Sequence, residues 1–336
     1  MSKKTVKTIA DIARMAGVSK STVSRALNDS PLIGTETKER IRQIAREHNF
    51  QVNVAARQLS KKQSRTIAFV THAYHKEFSV ADLFGLEIMG GISNGLHAHG
   101  YDMLVVHVDP RETAWAHQYL DTGRVDGFIL MTSSRKQFHI KALIEMGAPF
   151  IVWGIPAPNQ SYPSITGDNF RGGKLATEHL IHIGRQRIAF LGGPPDELEV
   201  QLRYSGYETV LREAGKTIDP ALIAYGDFSN TSGAVAMAQL LQQAPGLDAV
   251  FVNSDLMAIA AMQVIREQGR RIPEDVAVVG YDDLSIAEHG NPPLTTVRQN
   301  IPLSGRLLAQ NLIQYLQAGI VTNVSIPVEL IVRKSA

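Results

Sequence analysis

The sequence predicts an α/β protein in which an all-α headpiece precedes two doubly wound parallel-sheet subdomains. Three observations lead there: basic charge gathered at one end, short amphipathic helices over residues 8–49, and apolar runs alternating with helical stretches from residue 65. Residues 1–64 hold 13 Lys and Arg against 5 Asp and Glu, a net of +8, whereas the remaining 272 hold 21 against 27, a net of −6. A short basic unit joined to a larger acidic one is the charge footprint of a phosphate-binding module attached to something else. At 336 residues the chain has room for two or three domains of roughly 100–200 residues each. With 44% apolar residues it also has ample material for buried cores.

The headpiece elements follow from local chemistry. Thr8 and Asp11 form a capping-box pair, and Ile9, Ile12, Ala13 and Ala16 recur at helical spacing before Gly17 stops the first helix. Ser19 caps a second helix with Val23, Ala26 and Leu27 on its inner face, closed by the turn Asn28-Asp29-Ser30-Pro31. Thr35 begins a third, with Ile41, Ile44 and Ala45 facing inward. Two short helices joined by a Gly-containing turn, with a third completing the core, make a helix-turn-helix unit.

In the larger unit the expected strands are 66–71, 101–108, 126–131, 150–154, 187–193, 249–254 and 276–283. Helical stretches at 137–146, 170–183, 199–213, 231–243 and 255–268 separate several of them, the alternation of parallel sheets covered on both faces. One sheet would not hold all these strands, so two similar subdomains are expected.

Composition and motif scans exclude several chemistries. The absence of cysteine removes disulfides, thiolate metal sites and thiol nucleophiles. The start lacks the apolar core of a secretory signal, and no stretch approaches the ~18 apolar residues of a membrane span. A cytoplasmic protein without a membrane partner is therefore expected. Gly91-Ile92-Ser93-Asn94-Gly95 matches the nucleophile-elbow pattern, but helical periodicity rather than a strand precedes it. Residues 167–174 resemble a phosphate loop with the lysine one place late and Leu175 where a metal-binding hydroxyl belongs. His179 and His182 share a helix face without an evident third ligand. No catalytic residue, no metal site and no cofactor is expected.

TIADIARMAGVSKSTVSRALN, the later NVAARQLS and the distant VVGYDDLS…PPLTTVRQ closely resemble the lactose-repressor/galactose-repressor family of bacterial transcription regulators, across essentially the whole chain. The resemblance implies a headpiece over 1–52, a hinge over 53–64 and an effector-binding and dimerisation core over 65–336 of the periplasmic-binding-protein type. Within that core it implies three crossovers, giving a first subdomain of about 65–166 with 296–327 and a second of about 167–295 with 328–336. An Arg on the second helix is well shaped for guanine in a major groove. By similarity, Lys20, Ser21 and Arg25 meet bases, Ser19, Thr22 and Asn28 lie nearer the backbone, and Thr8 and Ser24 complete the DNA-binding set. The family's minor-groove hinge maps to Asn53, Ala56 and the wedge Leu59, although Val52 stands where relatives usually have Pro.

Polar residues at strand ends suit a polyhydroxylated ligand, whose hydroxyls both donate and accept. By resemblance the effector residues are Arg203, Ser254, Asp255, Asp282 and Gln299, with Phe228, Phe84 and Trp153 as stacking surfaces. Two departures stand out: Ser254 replaces the usual Asn, and Gly154 an acidic residue. The expected partners are pseudo-palindromic double-stranded operator DNA, a small-molecule effector such as a sugar or glycoside, and a second copy of the chain. The last residues lack the heptads of a tetramerising helix, so a homodimer is expected. A repressor released by sugar is the primary expectation. The alternatives are a regulator co-repressed by a non-sugar metabolite, a sugar-binding protein without a DNA role, and a sugar-modifying α/β enzyme.

Overall fold

A computed structural model describes residues 8–50, 63–72, 83–108, 112, 114–131, 137–156 and 162–336. Two compact units separate between Ser64 and Arg65. The hinge residues Asn53, Ala56 and Leu59 lie outside the described residues.

In the first unit, α1 (Ile9–Ala16), α2 (Lys20–Leu27) and α3 (Thr35–Glu47) enclose a core centred on Ile12, Val23, Ala26 and Ile41. Each end has a physical cause. The Asp11 amide donates to Thr8 Oγ1 and the Thr8 amide to Asp11 Oδ2, closing the capping box. Gly17, at φ +63°, turns the chain out of α1 in the left-handed conformation that glycine adopts without a Cβ penalty. Ser19 Oγ accepts the Thr22 amide at 3.1 Å and starts α2. Leu27 and Ile44 pack against the core while remaining half-exposed.

The second unit holds two sheets of six strands. The first contains β1 (Thr66–His72), β2 (Asp102–Val108), β3 (Gly127–Met131), β4 (Phe150–Trp153), β5 (Ser164–Gly167) and β11 (Asn323–Ile326), in the order β2-β1-β3-β4-β5-β11. The second contains β6 (Ile188–Gly192), β7 (Ile223–Tyr225), β8 (Ala249–Val252), β9 (Ala277–Asp282), β10 (Thr295–Arg298) and β12 (Glu329–Ile331), in the order β7-β6-β8-β9-β10-β12. All neighbours are parallel except β12, which runs antiparallel to β10. The central strands are buried on both faces, as their unbroken apolar runs require.

The two orders are the same, so each sheet reverses direction between its first and third strands. Ligand sites of doubly wound sheets lie at such switch points, beyond the carboxyl ends of the strands. Covering helices include α4 (Leu83–Ala98), α5 (Trp115–Leu120) and α6 (Gln137–Glu145) in the first lobe. The second lobe has α7 (Asn169–His182), α8 (Leu198–Glu213), α9 (Asn230–Gln243), α10 (Asp255–Glu267) and the short α11 (Ser285–Glu288). The chain then returns to the first lobe through α12 (Ile301–Ala318).

Strands β5, β7, β10, β11 and β12 are additions to the seven expected from sequence. They are three or four residues long, too short for a periodic signal. The pairing of β10 with β9 places Thr295–Arg298 in the second sheet, so that passage between lobes comes after 298 rather than at 296. The longest helix, α12, was absent from the expected helical stretches because Pro302 and Gly305 interrupt its pattern. Its first turn accepts the proline, and Gly305 lies where a Cβ would strike the Ile92 amide and the Ile88 carbonyl of α4.

Candidate functional site

The outward face of α2 carries two unspent cations. Lys20, Ser21 and Arg25 are exposed, and among the described residues neither Lys20 nor Arg25 has a side-chain partner. Three cations of α3 are committed. Arg42 and Lys38 reach Asp29 Oδ1 at 2.9 and 3.0 Å, and Arg40 donates to the Ala16 carbonyl at 2.9 Å. The Lys38 hydrogen bond, reinforced by both positive charges, holds the Asp29 carboxyl below its ordinary range. Ser19 Oγ lies 2.7 Å from Ser21 Oγ and 2.8 Å from Thr22 Oγ1, and Asn28 Nδ2 donates to the Ser24 carbonyl. Thr8 is exposed within its capping box. These groups order the helix, while the two long cations stand clear of it.

At the carboxyl end of the second sheet the polar residues are interlocked. Arg203, buried on α8, donates from Nε to Asn169 Oδ1 at 2.8 Å and from Nη1 to the Asn253 carbonyl at 2.7 Å. Its guanidinium lies 3.7 Å from the centroid of the Tyr281 ring, and burial pushes the Tyr281 phenol up to about 12. Gln299 Nε2 donates to Asp282 Oδ1 at 2.7 Å. Asp283 is clasped by Arg298 and Arg333, each at 2.6 Å. Phe228, Asp282, Asp283 and Asn300 all adopt positive φ, at 70°, 114°, 58° and 47°. Such backbone strain persists only where surrounding contacts over-determine it, and it gathers at functional sites.

Ser254 and Asp255 sit in this region with internal tasks. Ser254 Oγ accepts the Met257 amide and caps α10. Asp255 is fully buried, its Oδ2 accepting the Leu284 amide at 2.7 Å and its Oδ1 the Thr296 hydroxyl at 2.6 Å. Burial first, and the neighbouring Asp282 charge second, raise its pKa well above the usual carboxylate value. Asp255 thereby fastens α10 to the β9–α11 turn and to β10, and both side chains of the expected effector pair carry internal hydrogen bonds.

The first lobe contributes aromatic surface. Phe84 and Trp153 lie with ring centroids 6.0 Å apart, in an apolar cluster that also takes in Leu256, Leu284 and Ile286 from the second lobe. Phe228 belongs to the second lobe, its ring occupying the space where a side chain on Gly193 would stand. The structure thus gathers Arg203, Asp282 and Gln299 at one sheet end and Phe84 with Trp153 at the other lobe's edge. Two hydrogen bonds join the lobes nearby: Ser285 amide to Glu87 Oε1 at 3.1 Å, and Ile155 amide to Glu199 Oε1 at 3.0 Å.

Asn169, Asn253, Tyr281 and Glu199 went unremarked in the sequence. A signal for some of them existed in the glycines that resembled a phosphate loop. A Cβ at Gly167 would meet Gln299, at Gly172 the Tyr281 ring, and at Gly173 the Arg203 backbone. The glycines are there for close approach of these residues. Ser93 lies exposed on α4, and Gly91 and Gly95 pack against α12, which gives no elbow. His179 is half-buried and faces the Ala336 backbone, burial lowering its pKa. Among the described residues no group of three His, Cys, Asp or Glu could hold a metal, and no helix is long and apolar enough to cross a membrane.

Comparison with known proteins bears on both units. A family model for bacterial regulatory proteins of the lacI family matches residues 8–53, and one for a periplasmic binding protein-like domain matches 177–336. The HTH-type transcriptional regulator CelR of Thermobifida fusca is 37% identical over 336 residues, covering 98% of either chain. A solved complex of the transcriptional regulator CelR with cellobiose is similar at TM-score 0.76 and 34% identity, covering 98% of this chain and 99% of that one. A lac repressor dimer bound to operator and the anti-inducer ONPF is similar at TM-score 0.84 and 31% identity, covering 98% of each.

Proposed function

The chain belongs to the lacI family of bacterial regulatory proteins, and from that premise we propose that it is a sequence-specific transcriptional repressor whose grip on operator DNA is released by a sugar. The observation that carries this reading is the pair Lys20 and Arg25. They are exposed, without partners among the described residues, on the second helix of a helix-turn-helix. Buried guanidinium, amide and carboxylate groups at the carboxyl end of the second sheet, with aromatic rings on both lobes, support a neutral polyhydroxylated effector. The cellobiose bound by a CelR relative makes a glucose-containing disaccharide the first compound to try.

In this reading Lys20, Ser21 and Arg25 meet base edges, while Ser19, Thr22, Ser24, Asn28 and Thr8 set the helix against phosphates. The assignment of Asn53, Ala56 and Leu59 to a minor-groove hinge rests on the resemblance alone. Arg203, Asp282 and Gln299 supply polar effector contacts, and Phe84, Trp153 and Phe228 the ring faces. Two copies bind a pseudo-palindrome, a reading supported by the similar lac repressor being bound to operator as a dimer. The protein works in the cytoplasm and performs no enzymatic step.

The mechanism is linkage. An effector that prefers one arrangement of the lobes lowers operator affinity, and operator lowers effector affinity by the same factor, typically about 5–150-fold. Selection from a random duplex library should yield a two-fold symmetric site, and cellobiose should weaken binding to it in a gel shift. Indifference to every duplex would overturn the proposal. Tighter DNA binding with the sugar would replace induction by co-repression.

A further inference from the structure

The chain passes between the lobes three times: after Gly167 of β5, after Arg298 of β10, and between Ile326 of β11 and Glu329 of β12. These passages lie side by side. Ile326 pairs with Gly167, the Asp168 amide donates to the Ile326 carbonyl at 3.0 Å, and Arg298 stands opposite Glu329. Gly167 occupies the angle between them. A Cβ there would come within 2.6 Å of Gln299 Oε1 in the second passage and 3.5 Å of Val328 in the third. Gly167 is not among the residues of positive φ, so space rather than backbone conformation requires the glycine.

Two arms lead from the cleft to this residue. In one, Arg203 Nε donates to Asn169 Oδ1 at 2.8 Å, and Asn169 Nδ2 donates to the Gly167 carbonyl at 2.9 Å. In the other, Gln299 Nε2 donates to Asp282 Oδ1 at 2.7 Å while the oxygen of the same amide abuts Gly167. Asn169 and Gln299 are both buried, so parting either from its partner costs a hydrogen bond that water does not replace. The guanidinium and the carboxylate of the cleft thus end, each through one side-chain amide, on a single glycine. Close-packed groups have few other positions to take, and they pass on a displacement rather than absorb it.

We propose that Gly167 is the positioning residue through which effector occupancy reaches the lobe connections. Its want of a side chain seats the Gln299 amide against Asp282, so a shift at Asp282 or Arg203 is imposed on all three passages together. This inference rests on the sugar-release reading and adds the means of its regulation.

The test uses the full chain, Gly167→Ala, Gln299→Ala and the double variant. Calorimetry gives cellobiose affinity, and gel shifts with and without saturating cellobiose give the factor by which the sugar alters operator affinity. The added methyl group drives the Gln299 amide away from Asp282. G167A should therefore bind cellobiose at least about threefold more weakly than wild type. Its operator factor should fall to less than about a third of the wild-type value. In the Gln299→Ala background no amide remains to displace, so the same substitution should change cellobiose affinity by less than about twofold. An equal loss in both backgrounds is the mark of packing alone and overturns the inference, as does an unchanged operator factor in G167A. Should thermal melts find G167A unfolded, Asn169→Ala severs the other arm and should lower the operator factor to the same degree; an unchanged factor there also overturns the inference. A wild type whose operator binding ignores cellobiose overturns the sugar-release reading, and the inference with it.

Discussion

The polar side chains of α2 and those of the second-lobe cleft are held by opposite means. On α2, short hydroxyls and amides cap and brace the helix, and that leaves Lys20 and Arg25 in solvent without a partner among the described residues. In the cleft, Arg203, Asp255, Asp282 and Gln299 are buried, and each is bonded to another part of the protein. The difference teaches that exposure and commitment together decide what a residue can offer a partner. Water solvates an idle surface cation at little cost, whereas a buried polar group must be paired. Binding at the headpiece therefore adds contacts to unspent groups, while binding in the cleft draws on the remainder left by an existing network.

The sharpest way to break this contrast is Asp255→Ala. It strands the Leu284 amide and the Thr296 hydroxyl in the interior, at roughly 1–3 kcal/mol each, so stability should fall by about 2–6 kcal/mol in chemical denaturation. Because the folded state raises the Asp255 pKa, it holds that proton more tightly than the unfolded chain does. The wild type should thus lose stability as pH rises from the unfolded carboxylate value towards the folded one, and its margin over the variant should narrow across that window. A variant that stayed stable but lost its response to sugar would place Asp255 among the ligand contacts after all.

Arg25→Ala probes the other side. Loss of a bidentate base contact should remove about 1–3 kcal/mol of discrimination, about fivefold to more than a hundredfold, between selected and random duplex. The melt of the variant should match wild type, since the Arg25 side chain has no partner among the described residues. Unchanged discrimination would take Arg25 out of the readout set and leave the contrast without its headpiece half.

The smallest effect concerns acid. The Asp29 carboxyl is depressed by Lys38 and Arg42, so its contribution is present above the unfolded carboxylate value and lost as pH falls through the lower folded one. The pair is exposed and the loss should be slight. Hydrogen exchange at α3 amides in the full chain, compared with Asp29→Asn, would show protection converging at low pH.

Much of the fold was legible where chemistry is local. Thr8, Ser19 and Gly17 announce helix ends within three residues of themselves, and the apolar runs of β6, β8 and β9 mark strands buried on both faces. Strands such as β5 and β10 were not legible, because neighbours distant in sequence define them. The site was legible in residue type more than in role. Asp282 and Gln299 do meet, and Arg203 lies against the neighbouring Tyr281, but whether a carboxylate faces a ligand or an amide twenty-nine residues away depends on packing that no local pattern encodes. Glu199 escaped notice because its partner, Ile155, lies on the far side of the gap, and Asn253 because it receives Arg203 on its backbone carbonyl, which leaves no mark in a sequence.

The tight seam between α4 and α12 has a mechanical consequence. Gly91, Gly95 and Gly305 bring the two backbones so near that no methyl group fits between them, and α12 starts directly after Gln299 and the left-handed Asn300. Its 18 residues span about 27 Å. A rod welded along its flank cannot flex. Any tilt imposed at the Gln299 end must swing the entire first lobe, delivering at its remote tip a displacement larger than the one that began it.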